Sequence, residues 1–273
     1  MHMPNFAVLL GPSEEMKTGG NPFAPDMFDY RSSDTFNYFS RLNPERRTLI
    51  DRLQWAIRSS DDARLEEIFG IAGRSLKEVK DAILGIYSAP LMSALDRYGP
   101  GVMYASMDFP GLPTGAQRRL LENGVVLSGL FGLLRPDDLI PNYRLAMNAI
   151  VPGIGAVSEY WRPHISSLLN EAIKGRFVWD LLPETHRAAW DDDHAYAQKA
   201  HVEFLVNGAQ GPEPVQGDKE SLRGQLVNFI MRETAEGTDS FLNWEHPAGY
   251  RYDEARSTYD EATRTATIAL VKQ

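Results

Sequence analysis

One segment constrains the fold of this chain more than any other: Ser128 to Met147, SGLFGLLRPDDLIPNYRLAM. It is made mostly of core residues, yet two glycines, two prolines, two arginines and two aspartates interrupt it. Val125, Val126 and Leu127 lead in as a short apolar strand. Gly129 and Gly132 then permit a tight bend or a close approach of another backbone. Pro136 and Pro141 each hold the preceding residue extended, so no regular helix is expected between them. Leu145 after Arg144 reads as a return to a buried element. An apolar segment broken by fixed turns, carrying Arg135, Asp138 and Arg144, can hold charges at the rim of a pocket. The same residues would also serve as buried Arg–Asp pairs stapling a loop.

The rest of the chain supplies a mixture of strands and helices. Phe6 to Leu10 reads as a buried strand stopped by Gly11-Pro12, and Ser13 to Asp29 as a loop rich in Gly, Pro and polar residues. Asn43-Pro44 makes a helix start, with Asn as cap and Pro in the first turn. Leu49, Ile50, Leu53 and Ile57 then carry helical spacing to Ser59. Short helices over Ala63–Phe69 and Ser75–Ile86, with Ser75 as cap, flank Gly70-Ile71-Ala72-Gly73. Gly99 to Gly115 is a Pro/Gly-rich stretch before a short helix ending at Asn123. Pro152 to Gly155 reads as a turn, and Ser158 to Glu171 as an amphipathic helix with Trp161, Ile165, Leu168 and Leu169 on one side. Phe177–Leu181 and His201–Val206 read as strands, Gly208–Gly217 as a loop and Ser221–Arg232 as a helix. Tyr250–Tyr252 and Thr265–Val271 close the chain as strands joined through a polar turn at Arg256–Asp260. Strands and helices alternate irregularly, without the spacing of a doubly wound fold. The expectation is one α/β domain of the mixed α+β kind over residues 1–273, with a helical sub-lobe near residues 40–90.

Charge and cysteine usage narrow the chemistry. The chain has no cysteine, which removes disulfides, thiolate-bound metals and thiol-based peroxide chemistry. A net charge of −9 lowers the expectation of a nucleic-acid partner, because phosphate neutralisation dominates such affinity. No run approaches the 18 or so apolar residues of a membrane span, and the first residues lack the pattern of a secretory signal, so a cytoplasmic protein is expected. There is no dinucleotide fingerprint, P-loop, zinc-binding H-E-x-x-H or nucleophile elbow. His186, Asp191, Asp192, Asp193 and His194 have metal-ligand chemistry, but adjacent acids of this kind are ordinarily a solvated loop, and no metal is expected.

Polar residues at strand ends are the better candidates, since such loops converge on one crevice in α/β proteins. Ser13, Glu14 and Lys17 follow the first strand, Tyr87 follows a helix, and Asp180 ends a strand. Ser128, Arg135, Asp138, Tyr143 and Arg144 lie in the opening segment, and Arg223 in the late helix. A cleft holding Lys17, Arg135 and Arg144 would suit a phosphate or carboxylate. Glu14, Asp138 or Asp180 could then act as acid or base where partly desolvated.

The same segment resembles the YaaA family of bacterial peroxide-stress proteins. Ser128, Gly129, Leu130, Phe131, Gly132, Arg135, Pro136, Asp138, Pro141, Tyr143, Arg144, Leu145 and Met147 carry the match in order. LLGPSEEMK at Leu9–Lys17, YSAPLMSALD at Tyr87–Asp96, the Tyr160-Trp161 pair and Gly249-Tyr250 extend it over nearly the whole chain. The resemblance implies a mixed α/β fold with a central mixed sheet, surrounding helices and a helix-hairpin-helix-like element. It also implies a role in limiting oxidative damage, with DNA as a partner. Two departures weigh against DNA. Glu220 and Ser221 stand where the family commonly has positive charge before Arg223-Gly224, and Pro183 replaces a usual Ser. The rival reading is an enzyme of small-molecule metabolism whose arginines bind a small anionic ligand: a nucleotide, a nucleoside-containing cofactor or an amino acid. No cofactor is indicated.

Overall fold

The computed structural model describes residues 5–22, 38–208 and 211–272. Five consecutive buried apolar residues form β1 (Phe6–Leu10). A 3-10 turn then leads into α1 (Asn43–Ser59), α2 (Asp62–Phe69) and α3 (Gly73–Leu84), a run of helix between the first two strands. Next come β2 (Met92–Ser93), α4 (Ala94–Arg97), α5 (Val102–Met107) and α6 (Thr114–Asn123). Strand β3 (Gly124–Ser128) leads into the Ser128–Met147 signature segment, which supplies β4 (Gly132–Leu134) and β5 (Leu139–Ile140), followed by the small hairpin β6 (Ile150–Val151) and β7 (Gly155–Ala156). After α7 (Val157–Ile173) come β8 (Phe177–Asp180), α8 (Glu184–Arg187), β9 (Gln198–Gly208) and β10 (Gly211–Pro214). The chain closes with α9 (Lys219–Glu233), β11 (Tyr250–Tyr252), β12 (Thr258–Asp260) and β13 (Thr265–Lys272).

Among the described residues the main sheet has nine strands, in the order β11-β13-β9-β8-β1-β3-β4, with β10 on β9 and β12 on β13. The five strands from β13 to β3 run parallel, and the peripheral strands β4, β10, β11 and β12 are antiparallel to their neighbours. This is the mixed α/β architecture expected of the sequence. Strand β1 pairs with β3 on one side and β8 on the other, while β9, the next strand after β8, lies on the far side of β8 from β1. The connections leaving β1 and β8 therefore diverge, which opens a crevice at their carboxyl ends.

Several local expectations are corrected. Asn43 is helical rather than a cap: its Oδ1 accepts from Arg46 Nη1 at 2.9 Å, and Leu42 occupies the cap position. Helix α3 begins at Gly73, so Ser75 lies inside it and caps nothing. The Gly99–Gly115 stretch contains α5, six residues too short for periodicity to stand out. The expected loop at Gly208–Gly217 includes β10, whose Pro212 and Pro214 are tolerated because it is an edge strand. The Arg256–Asp260 turn includes β12; the reversal falls later, where Asp260 Oδ1 accepts from Ala262 N at 2.9 Å. Ser13 to Pro22 is irregular apart from an isolated bridge at Asn21; the remainder of that expected loop, and residues 1–4, lie outside the described residues.

The signature segment owes its composition to packing. Trp161 of α7 is fully buried and donates its indole N–H to the Gly129 carbonyl at 2.8 Å. A side chain at Gly129 would run into the Leu145 carbonyl, and Gly132 holds φ +70 against the Trp161 ring. Arg46 of α1, wholly buried, donates to the carbonyls of Phe131 at 2.8 Å and Leu133 at 2.7 Å. These contacts tie the β3–β4 turn to α1 and α7, which also touch each other where Tyr160 donates its hydroxyl to the Glu45 carbonyl at 2.8 Å. Among the described residues no helix is long and apolar enough to cross a membrane.

Candidate functional site

A cavity of about 490 Å³ opens at the carboxyl ends of β1 and β8. Gly11-Pro12 ends β1, and Tyr104 of α5 fixes the turn by donating its hydroxyl to the Gly11 carbonyl at 2.7 Å. Ser13 Oγ accepts from Glu15 N at 3.1 Å, which presents Glu14 and Glu15 to the opening. From the other loop come Pro183, Thr185 and His186, and from the irregular chain after Pro141 come Tyr143 to Asn148. Glu220 of α9 completes the rim, and Met103, Tyr104 and Met147 supply apolar wall.

Among the described residues Arg144 is the one arginine or lysine on the cavity wall. Its Nη2 donates to Glu14 Oε2 at 2.8 Å and its Nε to the Phe69 carbonyl at 3.1 Å. Phe69 ends α2, so the guanidinium satisfies one of the orphan carbonyls of that helix while it faces the cavity. Below it, Tyr143 belongs to a buried chain of hydroxyls. Both lone pairs of Ser128 Oγ are taken by the N–H groups of Leu130 at 3.2 Å and Phe131 at 3.0 Å. Its hydroxyl therefore donates to Tyr143 Oη at 2.6 Å, and Tyr143 meets Tyr98 Oη, also at 2.6 Å. Burial pushes the Tyr143 phenol up to about 12, against the lowering effect of these hydrogen bonds, so it stays protonated at neutral pH. Burial also lowers His186 to about 4, which leaves a neutral imidazole on the wall.

Of the residues singled out in the sequence, Ser13, Glu14, Tyr143 and Arg144 share the cavity, and Ser128 sits directly behind Tyr143. The others stand elsewhere, and the expected hollow with Lys17, Arg135 and Arg144 together is not formed. Lys17 contributes backbone, its N–H bonding the Arg97 carbonyl at 2.8 Å, and its side chain is not on the wall. Arg135 grips the Leu121 carbonyl through Nε at 3.1 Å and Nη2 at 2.5 Å, with its guanidinium 4.7 Å from the Tyr38 ring centre. Asp138 is buried and accepts from Arg135 N at 2.8 Å and Tyr38 N at 3.2 Å. Desolvation raises its carboxyl to about 6, against those hydrogen bonds and nearby Arg46. Asp180 is buried too, accepting from Leu182 N at 3.0 Å and Arg187 Nε at 2.9 Å. Tyr87 reaches Asp51 at 3.5 Å, and Arg223 pairs with Glu220 at 2.7 Å from behind the rim. Gly224, beside it, abuts the backbone of α5, so helix packing accounts for the glycine of the Arg223-Gly224 match.

Sequence reasoning passed over Glu15, His186 as a cavity residue, and Glu220. His186 drew notice only for its neighbours Asp191 to His194. Those turn away: Asp192 bonds Lys199, Tyr196 and the His194 backbone. Among the described residues no group of His, Cys, Asp or Glu is arranged to hold a metal.

Helices α2 and α3 do form a hairpin. Gly70 and Gly73 both take the left-handed conformation at φ 63, with open space where a side chain would project. The charges around it are mixed: Arg74 pairs with Glu78 at 3.4 Å, Arg64 with Glu67 at 2.5 Å and Lys80 with Asp62 at 2.8 Å.

Comparison with known proteins gives the family. Residues 6–256 match the family described as Peroxide stress protein YaaA. An uncharacterized protein of Campylobacter jejuni is 27% identical over 239 residues, 86% of this chain and 88% of that protein. A UPF0246 protein of Streptomyces coelicolor is 39% identical over 131 residues, a match that spans 48% of this chain and half of that protein's length. A UPF0246 protein of Rickettsia bellii is 21% identical over 212 residues, 77% of this chain and 85% of its own. With nearly its whole length matched, this chain belongs to the YaaA peroxide stress protein family.

Proposed function

We propose that the chain serves in the cytoplasmic response to peroxide stress by binding a small polar metabolite in the β1–β8 cleft. The observation that carries this reading is Arg144. A guanidinium held at the diverging ends of two parallel strands, on the wall of a cavity of about 490 Å³, is positioned to receive an anionic group. Should the bound molecule also react, proton transfer falls to Glu14, because Asp138 and Asp180 are committed to backbone and arginine partners away from the cavity.

A metabolite screen by thermal melting tests the proposal. A ligand at one hundred times its dissociation constant stabilises by about 2.7 kcal/mol, which corresponds to roughly 5 °C for a domain of this length. Arg144→Ala should remove that rise. A ligand whose effect survives the substitution would place the site elsewhere.

The left-handed glycines of the α2–α3 turn favour a second reading, in which backbone N–H groups at the hairpin grip a nucleic-acid phosphate. The paired charges along both helices weigh against it. Absence of a gel shift with single- or double-stranded DNA at about 50 mM salt, where phosphate contacts are strong, would dispose of this reading.

A further inference from the structure

The charge around the cleft says which ligands it can hold, an inference that rests on the cleft being a binding site. Three carboxylates, Glu14, Glu15 and Glu220, line it; Arg223 neutralises Glu220 from behind the rim, so among the described residues Glu14 and Glu15 are set against the one guanidinium on the wall, that of Arg144. His186 is neutral at pH 7 and does not redress the balance. A phosphate or nucleotide would bring two or more negative charges into this surrounding, and in binding Arg144 it would strip Glu14 of its partner. A ligand with a single negative charge meets a milder form of the same difficulty: Glu14 is mostly exposed and can be displaced into water, but the ligand then sits beside the carboxylates of Glu14 and Glu15, which repel it.

A molecule carrying one charge of each sign escapes it. Its carboxylate takes the place of Glu14 on Arg144, and its ammonium takes the place of Arg144 on Glu14. One ion pair becomes two and no charge is stranded. Glu15, whose carboxylate makes no hydrogen bond or ion pair among the described residues, lies next to the released Glu14 and adds to the attraction for the ammonium. The remaining wall, Met103, Tyr104 and Met147, is apolar and far larger than a carboxylate or ammonium needs. Methionine adapts its shape to aromatic and aliphatic bodies alike.

We propose that the cleft takes a zwitterion, an α-amino acid or a metabolite headed by one, with its carboxylate on Arg144, its ammonium between Glu14 and Glu15, and its apolar body against Met103, Tyr104 and Met147.

The test uses the full chain and a defined set of probes: the common amino acids, the N-acetyl and amide forms of those that bind, inorganic phosphate and AMP. Calorimetry and thermal melting read the affinity. The expected result is binding by amino acids with apolar or aromatic side chains, weakened at least tenfold by capping either end, and little binding of phosphate or AMP. Glu14→Gln should shift the two classes in opposite directions, weakening the amino acid about tenfold while strengthening its N-acetyl form. This reciprocal change separates ligand recognition from a general loss of structure. Binding of AMP, phosphate or another amine-free anion in an Arg144-dependent manner, with none by amino acids, overturns the ligand class and leaves the site standing. Amino-acid binding indifferent to capping also overturns it. If a full metabolite screen yields no Arg144-dependent ligand, the site itself falls.

Discussion

Replacing Gly132 by alanine tests why the signature segment needs glycine where it does. Gly132 begins β4 at φ +70, and a methyl group there would lie 2.9 and 3.0 Å from two Trp161 ring carbons and 3.2 Å from Ile165. Carbon atoms in favourable contact sit about 3.5–4.0 Å apart. The left-handed backbone costs alanine about 1 kcal/mol, and forcing a methyl into a packed core costs about 2 kcal/mol more. With an unfolding entropy of about 2.1 cal/mol/K per residue over 273 residues, the total of about 3 kcal/mol lowers the melting temperature by roughly 5 °C. Two controls divide the effect. Gly175 has nearly the same backbone, φ +68, with no atom within 4 Å of an added methyl. Gly175→Ala should therefore lose only the backbone part, roughly 2 °C. Gly237 is extended and equally open, so Gly237→Ala should melt with the wild type or slightly above it. Calorimetry and urea denaturation of the three variants give the series directly. If Gly132→Ala melts with Gly175→Ala, the contact with Trp161 carries no energy and the packing account of the segment is wrong.

Two further substitutions probe the buried charges. Asp138 has its carboxyl raised to about 6 in the folded chain, above its unfolded value. It therefore adds stability below about pH 4 that is lost as pH rises through 6, a change of roughly 3 kcal/mol. The stability difference between wild type and Asp138→Asn should fall by most of that amount from pH 4 to 7.5; a difference that is constant, or that grows with pH, contradicts the burial argument. Arg46→Met fills similar volume but strands the carbonyls of Phe131 and Leu133, so urea denaturation should show a loss of about 3–5 kcal/mol. A loss under 1 kcal/mol would mean that those carbonyls find other partners.

The sequence by itself determined the elements and the family. Phe6–Leu10, Phe177–Asp180 and the helices starting at Asn43 and near Ser158 could be read because each is a local pattern: an apolar run, or a stripe at helical spacing between turn residues. The glycines and prolines of the signature segment likewise announced bends without needing the rest of the chain. Short elements such as α5, β10 and β12 were hidden because two or three alternations cannot be told from a loop.

Only the tertiary structure decided which charges share a hollow. Arg135 and Arg144 are nine residues apart and chemically alike, yet one clasps the end of α6 while the other faces a cavity. That difference depends on strand order: β1 lies between β8 and β3, so the loop after Leu10 meets the loop after Asp180, and both meet Arg144. Glu220, His186 and Glu15 joined the site for the same reason, brought from distant parts of the chain by packing. A side chain's identity is local, but its electrostatic neighbourhood is set by contacts between segments far apart in sequence, and no spacing rule along one segment encodes those contacts.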